Sequence, residues 1–396
     1  MQPGGAKGGV WADWSAQAAL QGLVVALVGY ASSAAIVIAG LKAMGATTAQ
    51  IASGLLLLGL GKGVASIGLS LWTRMPISIA WTTPGLALLA TSPAPEGGFR
   101  AAVGAFIVAG ALIVLAGVWP VLGRLVEAIP KPIASAMLAG ILLKLCLAPF
   151  VALKTLPLAA LAIIATWLVV YRFARLYAVP AAVLVTLACI WGQGGESLSG
   201  LAFTLPRPAA VMPLFTPEAL VNIALPLFIV TMASQNITGL AVLASFDYRP
   251  DPRLGLAVTG ALSVISAPLG APTINFAAIT AALCAGPDAH ADRSRRYIAA
   301  AVSGLGYMLL ALLAAVAAEF VTRSSPILIE AAAGLALIAA FGGSMLAAVQ
   351  AEDGRLPALV TFLVTASGFS LWGIGAAFWG LVIGWAVWWF ERAGPK

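Results

Sequence analysis

Charge is what this chain of 396 residues has least of. Asp, Glu, Lys and Arg together make up 9% of it, against roughly a quarter in a soluble domain. With 61% hydrophobic residues, the scarcity excludes a water-soluble globule and indicates a polytopic membrane protein. Histidine is represented only by His290, in a loop, and cysteine only by Cys146, Cys189 and Cys284. The cysteines lie in apolar runs without ligand-like spacing, so neither a metal site nor a disulfide framework is indicated, and no cofactor is expected. Of the fourteen acidic residues, only Glu319 and Glu330 approach membrane depth. No His cluster, acidic pair or activated Ser is visible there, which disfavours an intramembrane enzyme. The net charge of +7 comes from basic residues set singly near span ends, a matter of topology rather than of nucleic-acid binding. No cleavable leader is expected, because residues 1–14 are Gly-rich and polar and the next apolar run is long enough to span.

Apolar runs separated by loop signals give about fourteen segments, near 15–41, 47–71, 75–91, 99–119, 130–148, 157–171, 179–192, 217–245, 253–267, 269–286, 294–321, 326–350, 355–370 and 372–391. With the N-terminus inside, the cytoplasmic ends collect most of the basic residues, Lys7, Arg74, Arg124, Arg293, Arg295, Arg296 and Lys396 among them. The outside ends collect only Lys42, Arg100, Lys144, Lys154, Arg207 and Arg323. That bias places both termini in the cytoplasm. Lys62 is the only basic residue well inside a span, and it is expected to snorkel toward the cytoplasmic surface.

Two segments are interrupted. In Ser266–Gly286, Pro268, Gly270 and Pro272 break the first third, and an uninterrupted helix is expected from Asn275 onward. In Met75–Thr91, Pro76 and a β-branched stretch lead to Trp81, with Thr82 and Thr83 standing before Pro84 as helix-cap residues. Each reads as extended chain followed by a half-helix, which survives at membrane depth only where protein or a water-filled cavity satisfies its backbone. The broken segments are third and tenth, the same place in each set of seven, and seven is odd. The halves therefore form an inverted repeat with a binding site expected at the midplane, where half-helix N-termini favour an anion. The polar stretch Gly192–Thr216 would join the halves outside.

The candidate binding residues follow from polarity at depth. Thr231, Ser234, Gln235 and Asn236 lie near the centre of segment eight, where unpaired amides are costly; they either bond a neighbouring helix or face a ligand. Asn275, Thr273, Thr82 and Thr83 are read as caps that also line the cavity. Trp81, at a strand-to-helix break, is an aromatic wall with one donor, with core packing as the competing reading. Segment one brings Tyr30, Ser32 and Ser33 to mid-membrane, of which Ser32 is carried as the candidate.

These stretches resemble a known family. MASQNITGLAVL (Met232–Leu243), APTINFAAITAALCAGPDAH (Ala271–His290) followed by DRSRRY (Asp292–Tyr297), and ALVTFLVTASGFSLWGIGAAFWGLVIG (Ala358–Gly384) are similar to the benzoate/proton symporters of bacterial inner membranes. YASSAAIV, AQIASGL, SIGLSL and MPISIAWTTPGLALLATS in the first half agree. The resemblance implies uptake of benzoate, or a similar aromatic carboxylate, with a proton. It also implies kinship with the seven-plus-seven fold of nucleobase permeases and sulfate-type anion transporters. In that fold a core domain (here 15–119 and 217–321) moves against a gate domain (130–192 and 326–391), and the gate commonly mediates a homodimer. Nucleobase permeases carry an acid in segment eight where this chain has Gln235, which suits an anionic substrate but leaves the proton carrier open between the substrate's own carboxyl and Glu319 or Glu330. A nucleobase symporter is the runner-up reading, and an anion channel, with flux uncoupled from protons, is a different class.

Overall fold

The protein is described by a computed structural model over residues 12–119, 129–192, 204–323, 326–369, 371 and 375–393. Lys7, Arg124 and Lys396, the middle of the Gly192–Thr216 connection and the first residues of the last segment lie outside the described residues. A helix or half-helix stands at each apolar run. The first run is two helices, α1 (Ala16–Ala31) and α2 (Ala34–Ala43), separated at Ser32 and Ser33. Both serine hydroxyls donate back to the Gly29 carbonyl, at 3.3 and 2.6 Å, and such back-bonding competes with the helical ladder. Next come α3 (Thr48–Thr73), opened by a Thr47/Gln50 capping box, then strand β1 (Ile79–Trp81), α4 (Thr83–Thr91) and α5 (Gly98–Val118). The long helices α6 (Lys131–Thr155), α7 (Pro157–Phe173) and α8 (Ala178–Gly192) complete the first half.

The second half opens with α9 (Pro217–Ser245), a continuous helix containing π turns at Leu220–Ala224 and Met232–Asn236. It continues through α10 (Pro252–Ser266), β2 (Ile274–Phe276), α11 (Ile279–Ala285), α12 (Tyr297–Ala311) and α13 (Ala314–Arg323). The chain closes with α14 (Pro326–Val349), α15 (Arg355–Ala366) and α16 (Ala376–Ala393). Eight of the described helices, counting α1 with α2, are long and apolar enough to cross a membrane, or nine if the bent pair of α12 and α13 is one span.

One expectation needs correction. Asn275 does not begin a helix: it is the middle residue of β2, and α11 starts at Ile279 after Ala278, which offers no side-chain cap. Antiparallel pairing with β1 wins over helix here because Gly270, at φ +87°, turns the chain, and Pro272 leaves its predecessor biased to extended backbone. Thr82, by contrast, caps α4, its hydroxyl accepting from the Gly85 N–H at 3.2 Å.

The inverted repeat is visible in the packing. Helix α3 of the first half packs along α12 of the second, and α10 of the second along α5 of the first. The strands cross antiparallel with Ile79 opposite Phe276, Ala80 opposite Asn275 and Trp81 opposite Ile274. A two-stranded sheet in a membrane leaves outward N–H groups that lipid cannot satisfy, and both halves solve this alike. Ser66 of α3 accepts from Ile79 N–H at 2.9 Å, and Ser263 of α10 accepts from Ile274 N–H at 2.8 Å.

Candidate substrate site at the strand crossing

Segment eight meets the crossing through the second π turn of α9, which touches β2 on one side and α6 on the other. A π turn adds a residue to the helical ladder and re-aims the side chains around it. Asn236 is fully buried, and its Oδ1 accepts from the Phe276 N–H at 2.9 Å while its Nδ2 meets Met232 Sδ at 3.2 Å. The preceding Gln235 is half-buried, and its amide has no hydrogen-bond partner among the described residues. Of two neighbouring amides, one is structural glue and the other has no hydrogen-bond partner among the described residues.

Three threonines from three elements converge beside them. Thr231 of α9 donates to Thr82 at 2.9 Å and lies 3.2 Å from the Thr273 hydroxyl, with all three residues fully buried. Glycine at position 85 permits this: a Cβ there would lie 2.7 Å from the Thr82 hydroxyl oxygen. Thr83 and Ala80 are only partly covered. Asn275, opposite Ala80, donates from Nδ2 to the Phe276 carbonyl at 2.7 Å, and its buried Oδ1 has no partner among the described residues.

Trp81 is 2% exposed. Its indole N–H is already engaged by Ser33 Oγ at 2.9 Å, and Tyr30 stands edge-on at 5.6 Å between ring centroids. Ser33, rather than Ser32, is therefore the segment-one hydroxyl that reaches the break. Lys62 does not snorkel. It is 2% exposed, with Nζ 3.3 Å from the Trp81 ring centroid and 3.6 Å from that of Tyr307. The two ring faces enclose the amine. The spacing held a hint of this: Lys62 and Ser66 are four residues apart on one face of α3. Only the fold shows that this face meets the strands.

Glu319 and Glu330 are not brought to the crossing. Thr322, one turn after Glu319, contacts Thr48 at the start of α3 at 3.5 Å, about 21 Å of helix from Lys62 at 1.5 Å per residue, and Glu330 is exposed. The DRSRRY stretch closes the chain after α11. Arg296, 7% exposed, donates to the carbonyls of Ala285, His290 and Ala291. In the same loop the hydroxyl and backbone N–H of Ser294 hold the Asp292 carboxyl below its usual range.

Comparison with known proteins agrees with this architecture. Residues 12–390 match the model of the family described as benzoate membrane transport protein. An inner membrane protein of Escherichia coli, YdcO, is 41% identical over 92% of this chain and 93% of its own. The benzoate membrane transport protein of Acinetobacter baylyi is 33% identical over 94% of each chain. Among solved structures, the transmembrane domain of a cyanobacterial bicarbonate transporter, BicA, superposes with TM-score 0.58 at 17% identity, over 92% of this chain and 97% of that one. That likeness is one of fold. The chain is a membrane transporter, not an enzyme, and it belongs to the benzoate membrane transport protein family.

Proposed function

We propose that the protein imports benzoate, or a similar aromatic carboxylate, together with a proton across the bacterial inner membrane, with both termini in the cytoplasm. The substrate binds where α4 and the second π turn of α9, beside the strand crossing, meet α6. The observation that carries this reading is the chemistry of the crossing. β1, α4, β2, α11 and the central turns of α9 contain no Asp or Glu, while Thr83 stands partly uncovered at the N-terminus of α4 and Gln235 partly uncovered in the second π turn of α9. Neutral donors and a helix N-terminus without an opposing carboxylate favour an anion. Thr82, Thr273, Asn236 and Asn275 shape the polar wall, Trp81 backs it, and aliphatic side chains of α6 face the ring.

In this reading residues 15–119 and 217–321 form the moving core and residues 130–192 and 326–391 the gate. The pairing of α3 with α12 and α5 with α10 on one side, and of α6 with α14 and α15 on the other, supports the division. A homodimer through the gate belongs to the same reading. Uptake of labelled benzoate into proteoliposomes, acidic outside, tests it. Accumulation that follows the gradient and is competed by aromatic acids but not by nucleobases is expected. Equal competition by uracil or xanthine, or benzoate flux indifferent to the gradient, would refute the carboxylate symporter.

A further inference from the structure

Lys62 lies in the middle of α3, sealed from solvent and lipid, and its environment is unusual for a lysine. Its ammonium position is bounded by the faces of Trp81 and Tyr307, with Tyr30 at 5.9 Å. No described residue forms an ion pair or hydrogen bond with it. Its titratable neighbours are two phenols, Tyr30 from α1 and Tyr307 from α12. The Tyr30 hydroxyl is itself buried without a hydrogen-bond partner among the described residues, while that of Tyr307 donates to the Val25 carbonyl at 3.3 Å. Of the other elements packed on α3, β1 contributes Trp81, β2 and α10 contribute no acid, and α2 carries an exposed Lys42. Two acids lie toward the ends of α3: Asp13 pairs with Arg74 at its C-terminal end, and Glu319 of α13 lies one turn before Thr322, which contacts Thr48 at its N-terminal end. A buried charge without a counter-ion is strongly unfavourable, and ring faces offset only part of that cost. The amine therefore has reason to be charged only when an anion is close.

We propose that Lys62 is the proton carrier of the transport cycle: its amine takes up one proton as the carboxylate enters the strand crossing and releases it as the carboxylate leaves. The nitrogen lone pair accepts the proton from the acidic side, forming an ammonium whose charge cancels that of the bound carboxylate. On the alkaline side both depart, leaving a neutral amine in an empty core. Neither limb of the cycle moves net charge, and no protein carboxylate is needed. The coupling path is short. The cation rests on Trp81, the next residue Thr82 caps α4, and the indole N–H holds Ser33 at the break between α1 and α2.

The inference rests on the benzoate reading, and one set of measurements separates the two. Benzoate binding to the purified full-length protein is followed by calorimetry in buffers of different ionisation enthalpy near neutral pH, and accumulation and exchange are measured in proteoliposomes. The parent should take up one proton per benzoate. Lys62→Gln and Lys62→Arg should take up none and lose gradient-driven accumulation, while still exchanging labelled for unlabelled benzoate. Retention of proton uptake or gradient-driven accumulation in either variant overturns the assignment, as does proton-free benzoate binding by the parent. Failure of the parent to bind benzoate at all overturns the substrate and this inference with it. Should Lys62→Gln fail to run as a monodisperse species, Lys62→Met and the parent's own buffer series decide.

Discussion

Replacing Trp81 by Phe and by Ala measures how the break is held together. In Phe the ring face under Lys62 persists, but the bond to Ser33 is lost. A neutral buried hydrogen bond contributes about 1 kcal/mol, and no orphan is created, because Ser33 still donates to Gly29 at 2.6 Å. The loss for Trp81→Phe is about 1 kcal/mol. Trp81→Ala empties a fully enclosed site, about 3–5 kcal/mol for such a truncation, and also removes one face of the lysine's enclosure. Thermal unfolding in detergent, read by gel filtration of the heated samples, should place Phe less than halfway from the parent to Ala. Benzoate exchange should survive in Phe. Equal losses in the two variants, or no loss in either, would refute the enclosed packing of Trp81 described above.

Asn236→Leu leaves the Phe276 N–H buried without an acceptor, a loss of about 1–3 kcal/mol, and should lower the unfolding midpoint; an unchanged midpoint would count against that bond. Gln235→Glu puts a carboxylate beside the proposed anion and should weaken benzoate binding at least about tenfold, roughly 1.4 kcal/mol, with an unchanged gel-filtration profile. Equal affinity would move the anion elsewhere. Arg296→Lys cannot reproduce donation to three carbonyls, so limited proteolysis between residues 286 and 296 should accelerate, and an unchanged cleavage rate would count against that role.

The membrane class, the helix order and the two broken segments were legible in the residues themselves. Apolar run length is a local property, and Pro and Gly interrupt helices through local sterics. The inverted repeat followed from counting, because an odd number of segments per half forces opposite insertion. Thr82 was readable as a cap for the same reason: a cap concerns only its own first turn. Asn275 was not, since whether it caps a helix or pairs in a strand depends on β1, which is nearly two hundred residues away in the chain. Likewise the adjacent Gln235 and Asn236 look alike in sequence, and only a π turn and the position of Phe276 make one structural and leave the other without a hydrogen-bond partner among the described residues. Lys62 shows the limit most plainly. From sequence a lone lysine in an apolar helix reaches for the surface, because water is the only partner a sequence can offer it. The partners that hold it inside, Trp81 and Tyr307, come from opposite halves of the repeat and meet it only when α3, β1 and α12 pack together.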